Sequence, residues 1–199
     1  MEVPDATTTG LKSTIEVSGL EGVISNLTVF LNISGGDNGE LYGYLSGENG
    51  GFVVLLNRVG KTAGNPLGYG DPGFNVTFSD LATNDIHLYG GNGGNPLAGT
   101  WQPDGRDTPP QTVLDTDPRT AMLNSFSDLS PNGTWTLFLS DLVNDNISTL
   151  VSWGFEFQAV PEPSTLSLIV LGGALAGAAG CRRLRVEKIS RSKSQPPAR

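Results

Sequence analysis

Short apolar runs with a period of two, separated by turns rich in Gly, Asn and Asp, constrain the fold of residues 11–158 more than any other feature. In residues 25–33 the side chains of Leu27, Val29 and Leu31 occupy alternate positions, which is the spacing of a strand with one buried face. The same pattern predicts strands at residues 13–18, 25–33, 40–45, 51–57, 75–80, 122–126, 133–139 and 153–157. No amphipathic helix separates them, so we predict an all-β fold, a jelly-roll-like antiparallel β-sandwich.

Two segments between these strands are predicted to be loops. Residues 90–95 read Gly-Gly-Asn-Gly-Gly-Asn, a composition that favours a flexible loop. Residues 103–119 are polar and rich in Pro, and for them we predict a long insertion on the surface.

The charge of the chain is divided between two regions. With 12 Lys and Arg against 20 Asp and Glu, the formal net charge is −8. Acidic residues outnumber basic ones in residues 1–160, whereas residues 164–199 are rich in Lys and Arg and contain a single acidic residue, Glu187. An acidic body excludes nucleic acid as a partner, because phosphate binding needs a basic face. The single Cys excludes a disulfide framework and a cysteine-based zinc site.

A run without charges, at about residues 164–181, predicts one C-terminal transmembrane helix. At a rise of about 1.5 Å per residue such a helix is roughly 27 Å long, close to the ~30 Å hydrocarbon core of a bilayer. Arg182, Arg183 and Arg185 follow at once. Because positive charge stays on the cytoplasmic side, we expect residues 1–160 outside the cytoplasm and a basic, disordered cytoplasmic tail at residues 186–199.

The residues immediately before this span are Val160, Pro161, Glu162 and Pro163. Two prolines around one Glu enforce an extended stretch that a processing enzyme can grip. The Pro-Glu-Pro tripeptide, the apolar span and the Arg cluster, in that order, resemble the PEP-CTERM sorting signal of Gram-negative bacteria. The resemblance implies recognition by exosortase, a transient stay in the inner membrane, and passage to the cell surface or extracellular matrix. It places the sorting segment at residues 160–185, after a body at residues 1–159.

The start of the sequence does not match this destination. It reads Met-Glu-Val-Pro-Asp, without the basic and apolar regions of a secretory signal peptide. Because an exported body requires an export signal, we expect that the true N-terminus lies upstream and that a signal peptide or a further domain is missing from this sequence.

Four short motifs in the body carry a second resemblance. They read Gly-Thr-Trp-Gln-Pro at 99–103, Leu-Asn-Ser-Phe at 123–126, Asn-Gly-Thr-Trp-Thr-Leu at 132–137 and Leu-Val-Ser-Trp at 150–153. Their order over residues 3–158 resembles the P domain (P/Homo B domain) of proprotein convertases and bacterial subtilisin-like serine endopeptidases. The resemblance implies a jelly-roll β-sandwich that packs beside a catalytic domain in proteolysis and carries no catalytic residue of its own.

The residues themselves also argue against catalysis. A serine-protease triad needs a His base, and the only His is His87, with no Gly-x-Ser-x-Gly context elsewhere. A lone His is usually a surface or packing residue. We therefore expect a non-enzymatic chain with no catalytic residue.

Calcium is the one cofactor that the residue types leave open. Asp and Asn side chains in loops supply the hard oxygen ligands that Ca²⁺ prefers. The same residues are the ordinary residues of turns, because they bond their own backbone, and we expect the turn role to prevail. The weak calcium candidates are Asp71, Asp80, Asp85, Asp141 and Asp145.

Three functions remain open at this point. The first is an exported, non-catalytic surface or matrix module. The second is the accessory C-terminal part of a secreted subtilisin-like protease whose catalytic domain lies upstream. The third is a carbohydrate-binding module for extracellular polysaccharide, as many jelly rolls are. It predicts exposed aromatic side chains along one face, drawn from Tyr42, Tyr44, Tyr69 and Tyr89.

Overall fold

The computed structural model describes residues 1–144 and 146–160. These residues form an all-β fold of two sheets, which confirms the predicted all-β class and is consistent with a β-sandwich. Its strands are β1 (Leu11–Val17), β2 (Val23–Gly35), β3 (Leu41–Gly47), β4 (Phe52–Asn57), β5 (Phe74–Phe78), β6 (Leu97–Trp101), β7 (Gly133–Asp141) and β8 (Ser148–Val160). Short 3₁₀ turns lie at Asn38–Glu40, Ile86–Leu88 and Leu123–Phe126.

The strands form two four-stranded sheets, in the orders β1-β7-β3-β4 and β6-β5-β2-β8. Five of the six strand pairs match the predicted antiparallel arrangement, but β6 runs parallel to β5, with Phe74 opposite Leu97. The antiparallel prediction is therefore wrong at this edge. A parallel neighbour needs a crossover of a dozen or more residues, and the long connection over residues 79–96 provides it.

The core lies between the inner faces of the two sheets, and its residues follow the predicted alternation. Leu27, Val29 and Leu31 of β2 are almost fully buried, as are Leu137 and Leu139 of β7. Burying an aliphatic side chain of this size stabilises the fold by about 1.5–3 kcal/mol. Because β2 and β7 are interior strands, their alternating residues meet the opposite sheet along most of their length.

Two local predictions are wrong. Residues 122–126, predicted as a strand, form the 3₁₀ turn Leu123–Phe126. The carboxylate of Asp80 determines this, because it accepts hydrogen bonds from the backbone N–H groups of Leu123 (3.2 Å) and Asn124 (2.8 Å). Residues 97–101, which were not predicted as a strand, form β6 through backbone pairing with β5 rather than through an apolar pattern of their own.

The predicted surface insertion at residues 103–119, called the strap below, is also partly buried. Asp104 and Arg106 are inaccessible or nearly so, and Val113 is fully buried. The strap lies along the free edge of β4, where the N–H of Asp104 donates to the Leu55 carbonyl (3.1 Å) and that of Gly105 to the Val54 carbonyl (2.9 Å). Its polarity in sequence thus comes in part from charges that it buries.

Trp135, within the most specific of the P-domain-like motifs, anchors one end of the core. Its ring stacks on Phe126 at 4.9 Å between centroids and packs against Phe155 at 4.4 Å. The indole Nε1 donates to the carbonyl of Pro131 at 2.9 Å. One buried side chain therefore joins β7, β8 and the 3₁₀ turn before it.

The residues before Trp135 fix the chain that enters β7. The side-chain amide of Asn132 accepts from the N–H of Leu20 (3.0 Å) and donates to its carbonyl (2.7 Å). Gly133 has φ of 117°, and a Cβ there would lie 2.8 Å from a carboxylate oxygen of Glu48. Only glycine adopts this backbone without strain, which explains the Asn-Gly order of the motif.

Among the described residues there is no helix whose length and hydropathy would let it cross a lipid bilayer. The transmembrane helix predicted at residues 164–181 and the tail predicted at 186–199 lie outside the described residues.

The packing around Trp135 generates a stability prediction. We expect Trp135→Ala to lower the free energy of unfolding by about 3–5 kcal/mol, because it removes a large buried ring and leaves a cavity. Trp135→Phe keeps most of the ring contact but leaves the Pro131 carbonyl without its donor, so a smaller loss is expected. Urea denaturation followed by circular dichroism measures both. Leu81→Ala, at a side chain that is 82% exposed, is the control, and equal losses for the two Trp135 variants would contradict the stacking argument.

Candidate functional site

A cluster of buried charges links the strap to the turn after β5. The charged cluster consists of Asp85, His87, Asp104, Arg106 and Arg119. His87 Nδ1 lies 2.7 Å from Asp104 Oδ2, and Arg106 lies between two carboxylates, 3.2 Å from Asp104 and 2.9 Å from Asp85. The side chains of His87 and Asp104 have no solvent exposure. Charges this deeply buried are tolerated because they are paired and hydrogen-bonded.

The surroundings of His87 determine its protonation state. Its Nδ1 faces the Asp104 carboxylate, and its Nε2 faces the carbonyl of Lys61 at 2.9 Å. Both partners only accept hydrogen bonds, so both ring nitrogens donate and the ring is an imidazolium. Burial by itself lowers the pKa of His87, but the hydrogen bond and charge of Asp104, together with the Lys61 carbonyl, outweigh it and raise the pKa.

This arrangement explains what His87 can do chemically. A His–Asp pair is two thirds of a catalytic triad, but here the nitrogen that would face a nucleophile is bound to a backbone carbonyl. The ring is also inaccessible to substrate. His87 therefore holds the strap in place, and its packing role agrees with one of the two roles expected from sequence.

The two Arg side chains complete the charged cluster through backbone carbonyls. Arg106 donates to the Asp115 carbonyl at 2.8 Å, and Arg119 donates to the carbonyls of Asp104 (2.9 Å) and Pro103 (2.6 Å). The three cations of the cluster are thus paired with the carboxylates of Asp85 and Asp104, and the two Arg side chains also bind backbone carbonyls of the strap. The sequence did not predict this cluster, because its members come from residues far apart in the chain.

The calcium candidates lie in separate places. Asp80 binds the 3₁₀ turn described above, Asp85 binds Arg106, and the buried Asp141 accepts from the Ser148 hydroxyl at 3.3 Å. Asp145 lies outside the described residues. In the part of the chain that the structure describes, no three His, Cys, Asp or Glu side chains converge on a point where a metal ion would fit. Calcium binding stays a prediction that rests on residue type alone.

Asp71 organises the glycine-rich loop. One carboxylate oxygen accepts from the N–H of Asn92 (2.7 Å) and from the hydroxyl of Tyr89 (2.9 Å), and the other accepts from the N–H of Gly94 (2.7 Å). The segment predicted as a flexible loop is thus held at two backbone positions by one buried side chain. The Asp71 carboxylate works here as an anchor for backbone N–H groups.

The four tyrosines named as carbohydrate candidates fall into two separate clusters and not on one face. Tyr42 and Tyr44 lie on β3 beside Phe138, where Tyr44 and Phe138 stack at 4.9 Å with 17° between their planes. Burial, followed by the charge of Asp107, raises the pKa of Tyr42 to about 12.

The second aromatic cluster borders a groove at the edge strand β6. Tyr69 packs on Tyr89 at 4.4 Å, and Tyr89 meets Trp101 edge to face at 6.2 Å. The groove, called the β6 groove below, is open to solvent and has a volume of about 390 Å³. It is lined by Thr83, Asn84, Asp85, Leu88, Tyr89 and Trp101.

The sorting residues begin where the body ends. Val160 is the last residue of β8 and pairs with Val23, while the preceding Ala159 pairs with Ile24. Val160 is half exposed at this sheet edge. The other predicted sorting and membrane-flanking residues, Pro161, Glu162, Pro163, Arg182, Arg183 and Arg185, lie outside the described residues.

Comparison with known proteins identifies a PEP-CTERM protein-sorting motif at residues 159–183. No P-domain family model matches the chain, and no curated protein matches it. Among solved structures, the chain is similar to the crystal structure of a serine protease from Aeromonas sobria in complex with its chaperone. That similarity has 15% sequence identity and a TM-score of 0.44, and it covers 81% of this chain and 25% of the other. The chain thus spans about a quarter of the length of that protein.

The matched motif confirms the predicted sorting signal and its position. A PEP-CTERM signal implies an exported protein of a Gram-negative bacterium, recognised by exosortase and anchored transiently in the membrane before cleavage. The match starts one residue before the end of β8, so the matched segment includes the last two residues of the strand.

The charge on His87 generates a pH prediction. Because folding raises the pKa of His87 above its unfolded value of about 6.5, its contribution to stability is complete below that pH and disappears as the pH rises through the folded value. We expect the free energy of unfolding to fall as the pH is raised above about 6.5. Urea denaturation between about pH 5.5 and 9 measures this below the range in which Tyr ionises.

His87→Gln provides the control for this measurement. The chain has one His, so the difference between the two proteins isolates the contribution of the imidazolium. The variant should be less stable at pH 5.5 and should show a flatter dependence on pH. Parallel pH profiles for the two proteins would contradict a charged His87.

Proposed function

We propose that this chain is an exported, non-catalytic, P-domain-like jelly-roll module of the cell surface or extracellular matrix, delivered through its PEP-CTERM signal. The observation that carries the proposal is the sorting motif at residues 159–183, which follows directly on a two-sheet body. Exosortase is the partner that recognises the motif, and the predicted span at 164–181 holds the protein in the inner membrane until it is processed.

The position of the motif is compatible with removal of the tail. The last residues that pack against the core are on β8, at Trp153, Phe155 and Phe157. Cleavage after Val160 therefore leaves all of the described core intact. It also removes the basic cluster at Arg182, Arg183 and Arg185, and the product is an acidic body that carries a strong negative charge.

The geometry around His87 supports a role without catalysis. The single His of the chain is fully buried, and both ring nitrogens are bound to a carboxylate and a carbonyl. The P-domain assignment is supported by the Asn-Gly-Thr-Trp motif, whose residues fix the start of β7 and one end of the core. In this proposal the module contributes a stable, acidic surface to the envelope.

The sorting motif generates a prediction about processing. In its own cells the wild-type protein should be recovered outside the inner membrane, in a form that ends near Pro161–Pro163. A variant with Pro161→Ala, Glu162→Ala and Pro163→Ala should stay in the inner membrane and retain Arg199, because the extended stretch of chain that the protease recognises is lost. Intact mass spectrometry of separated envelope and medium fractions distinguishes the two forms.

The matched control changes Pro196 and Pro197 to Ala, outside the matched motif. It should be processed like the wild type. If the wild-type protein is found in the inner membrane and still carries Arg199, the segment acts only as a membrane anchor. This result would overturn the sorting proposal. A product tens of kilodaltons above the 20.9 kDa of this sequence would favour instead the accessory part of a larger protease.

A further inference from the structure

We propose that the β6 groove is a binding site for a neutral polysaccharide chain, with Trp101 and Tyr89 as its aromatic floor. The proposal rests on the export of the body, because the groove meets extracellular glycans only after export. The observation that points to it is a solvent-open groove of about 390 Å³ that combines two fixed aromatic rings with polar side chains. That volume is at the lower end of the range for small-molecule sites.

Trp101 is held in one orientation at the edge of the sheet. Its Nε1 donates to the carbonyl of Ala98 at 3.0 Å, so the indole lies back along its own strand. The strand has glycine at residue 99, where a Cβ would stand 3.7 Å from Nε1. The indole is half-buried, with one part packed on the core and the rest lining the groove.

Tyr89 is fixed by contacts on the side away from the groove. Its hydroxyl donates to Asp71 at 2.9 Å and accepts from the amide of Asn38 at 3.2 Å. Its ring packs on Tyr69 at 4.4 Å. Since the hydroxyl is fully used, the remaining binding surface of Tyr89 is its ring. Rings immobilised before binding lose little conformational entropy when a ligand stacks on them.

The polar side chains of the groove are of the kind that bind sugar hydroxyls. Thr83 and Asn84 are exposed, and neither side chain forms a hydrogen bond with the rest of the described chain. Asp85 is held in place because its carboxylate accepts from Arg106 at 2.9 Å and from the N–H of His87 at 2.9 Å. A carboxylate has about four acceptor sites, so Asp85 still has capacity to accept from a hydroxyl.

The charge of the groove selects for a neutral ligand. Asp85 is the one charged side chain among the lining residues, and it is paired with Arg106, which is not part of the lining. No Lys or Arg lines the groove to bind a carboxylate or phosphate of a ligand. The apolar C–H face of a pyranose ring suits an aromatic face, whose quadrupole is negative, and its hydroxyls suit an amide and a carboxylate. An open groove also accepts an internal stretch of a chain.

The aromatic cluster on β3 lacks these features. Tyr44 and Phe138 stack on each other at 17°, so each ring covers one face of the other, and Phe138 is buried. None of its rings lines the β6 groove, so the cluster provides a matched control surface.

The test uses the full chain, purified in mild detergent, and hexaoses of β-linked glucose, xylose and N-acetylglucosamine as probes. Isothermal titration should detect binding of at least one hexaose. We expect Trp101→Ala and Asn84→Ala to weaken that binding about tenfold or more, and Tyr44→Ala to leave it within about twofold. Asn84 is an exposed side chain, so this variant keeps the test valid even where Trp101→Ala impairs folding.

A second variant at Trp101 makes the readout specific to the groove. Trp101→Phe keeps an aromatic ring, so it should bind within a few-fold of the wild type. It should nevertheless lose the change in tryptophan fluorescence that the wild type shows on binding, because the other two Trp residues lie elsewhere, on β7 and β8.

Three results would overturn the proposal. They are no binding of any of the hexaoses at millimolar concentration, equal binding by the wild type and the Asn84→Ala variant, or binding of polygalacturonate alone that added salt abolishes. The binding assay uses purified protein and does not depend on sorting. A failure here therefore leaves the processing experiment unaffected, and a failure of processing leaves the binding result unaffected.

Discussion

The hydrogen bonds of the buried His87 imidazolium hold the strap against the rest of the body. Between Asp104 and the Lys61 carbonyl the ring joins three parts of the chain: the strap, the loop after β4, and the turn after β5. Arg106 extends the same contact to Asp85. Removing one partner of such a buried pair typically costs 3–5 kcal/mol, because the other charge is then left uncompensated. The strap can therefore be polar in sequence and still serve as a structural part of the sandwich.

The charged cluster also positions the β6 groove, which we infer to bind sugar. Asp85 is a member of both the charged cluster and the β6 groove, and its carboxylate is held by Arg106. On the other side of the groove, Tyr89 is oriented through Asp71, which also holds the glycine-rich loop. The groove is thus supported by two anchored carboxylates, those of Asp85 and the buried Asp71, which limits the motion of its floor.

Other parts of the chain cover two of the sheet edges. The strap covers the edge of β4, and the N-terminal residues cover the start of β8, where the N–H of Leu150 donates to the Met1 carbonyl at 2.8 Å. β6 is an open edge, but it is short and contains Gly99, features that limit edge-to-edge pairing with another molecule. The far end of β8 leads directly into the sorting motif.

The sequence by itself determined the features that depend on neighbours in the chain. The alternation of Leu27, Val29 and Leu31 specified a strand, and the Pro-Glu-Pro tripeptide with the Arg cluster specified the sorting signal, because both are read locally. Only the tertiary structure decided the strand β6, the burial of the strap and the charged cluster. His87 and Asp104 are 17 residues apart, and Arg106 and Asp85 are 21 apart. No local pattern selects such partners, since the choice depends on which loops the folded sheets bring together. The pairing of Trp101 with Tyr89 was beyond sequence reasoning for the same reason.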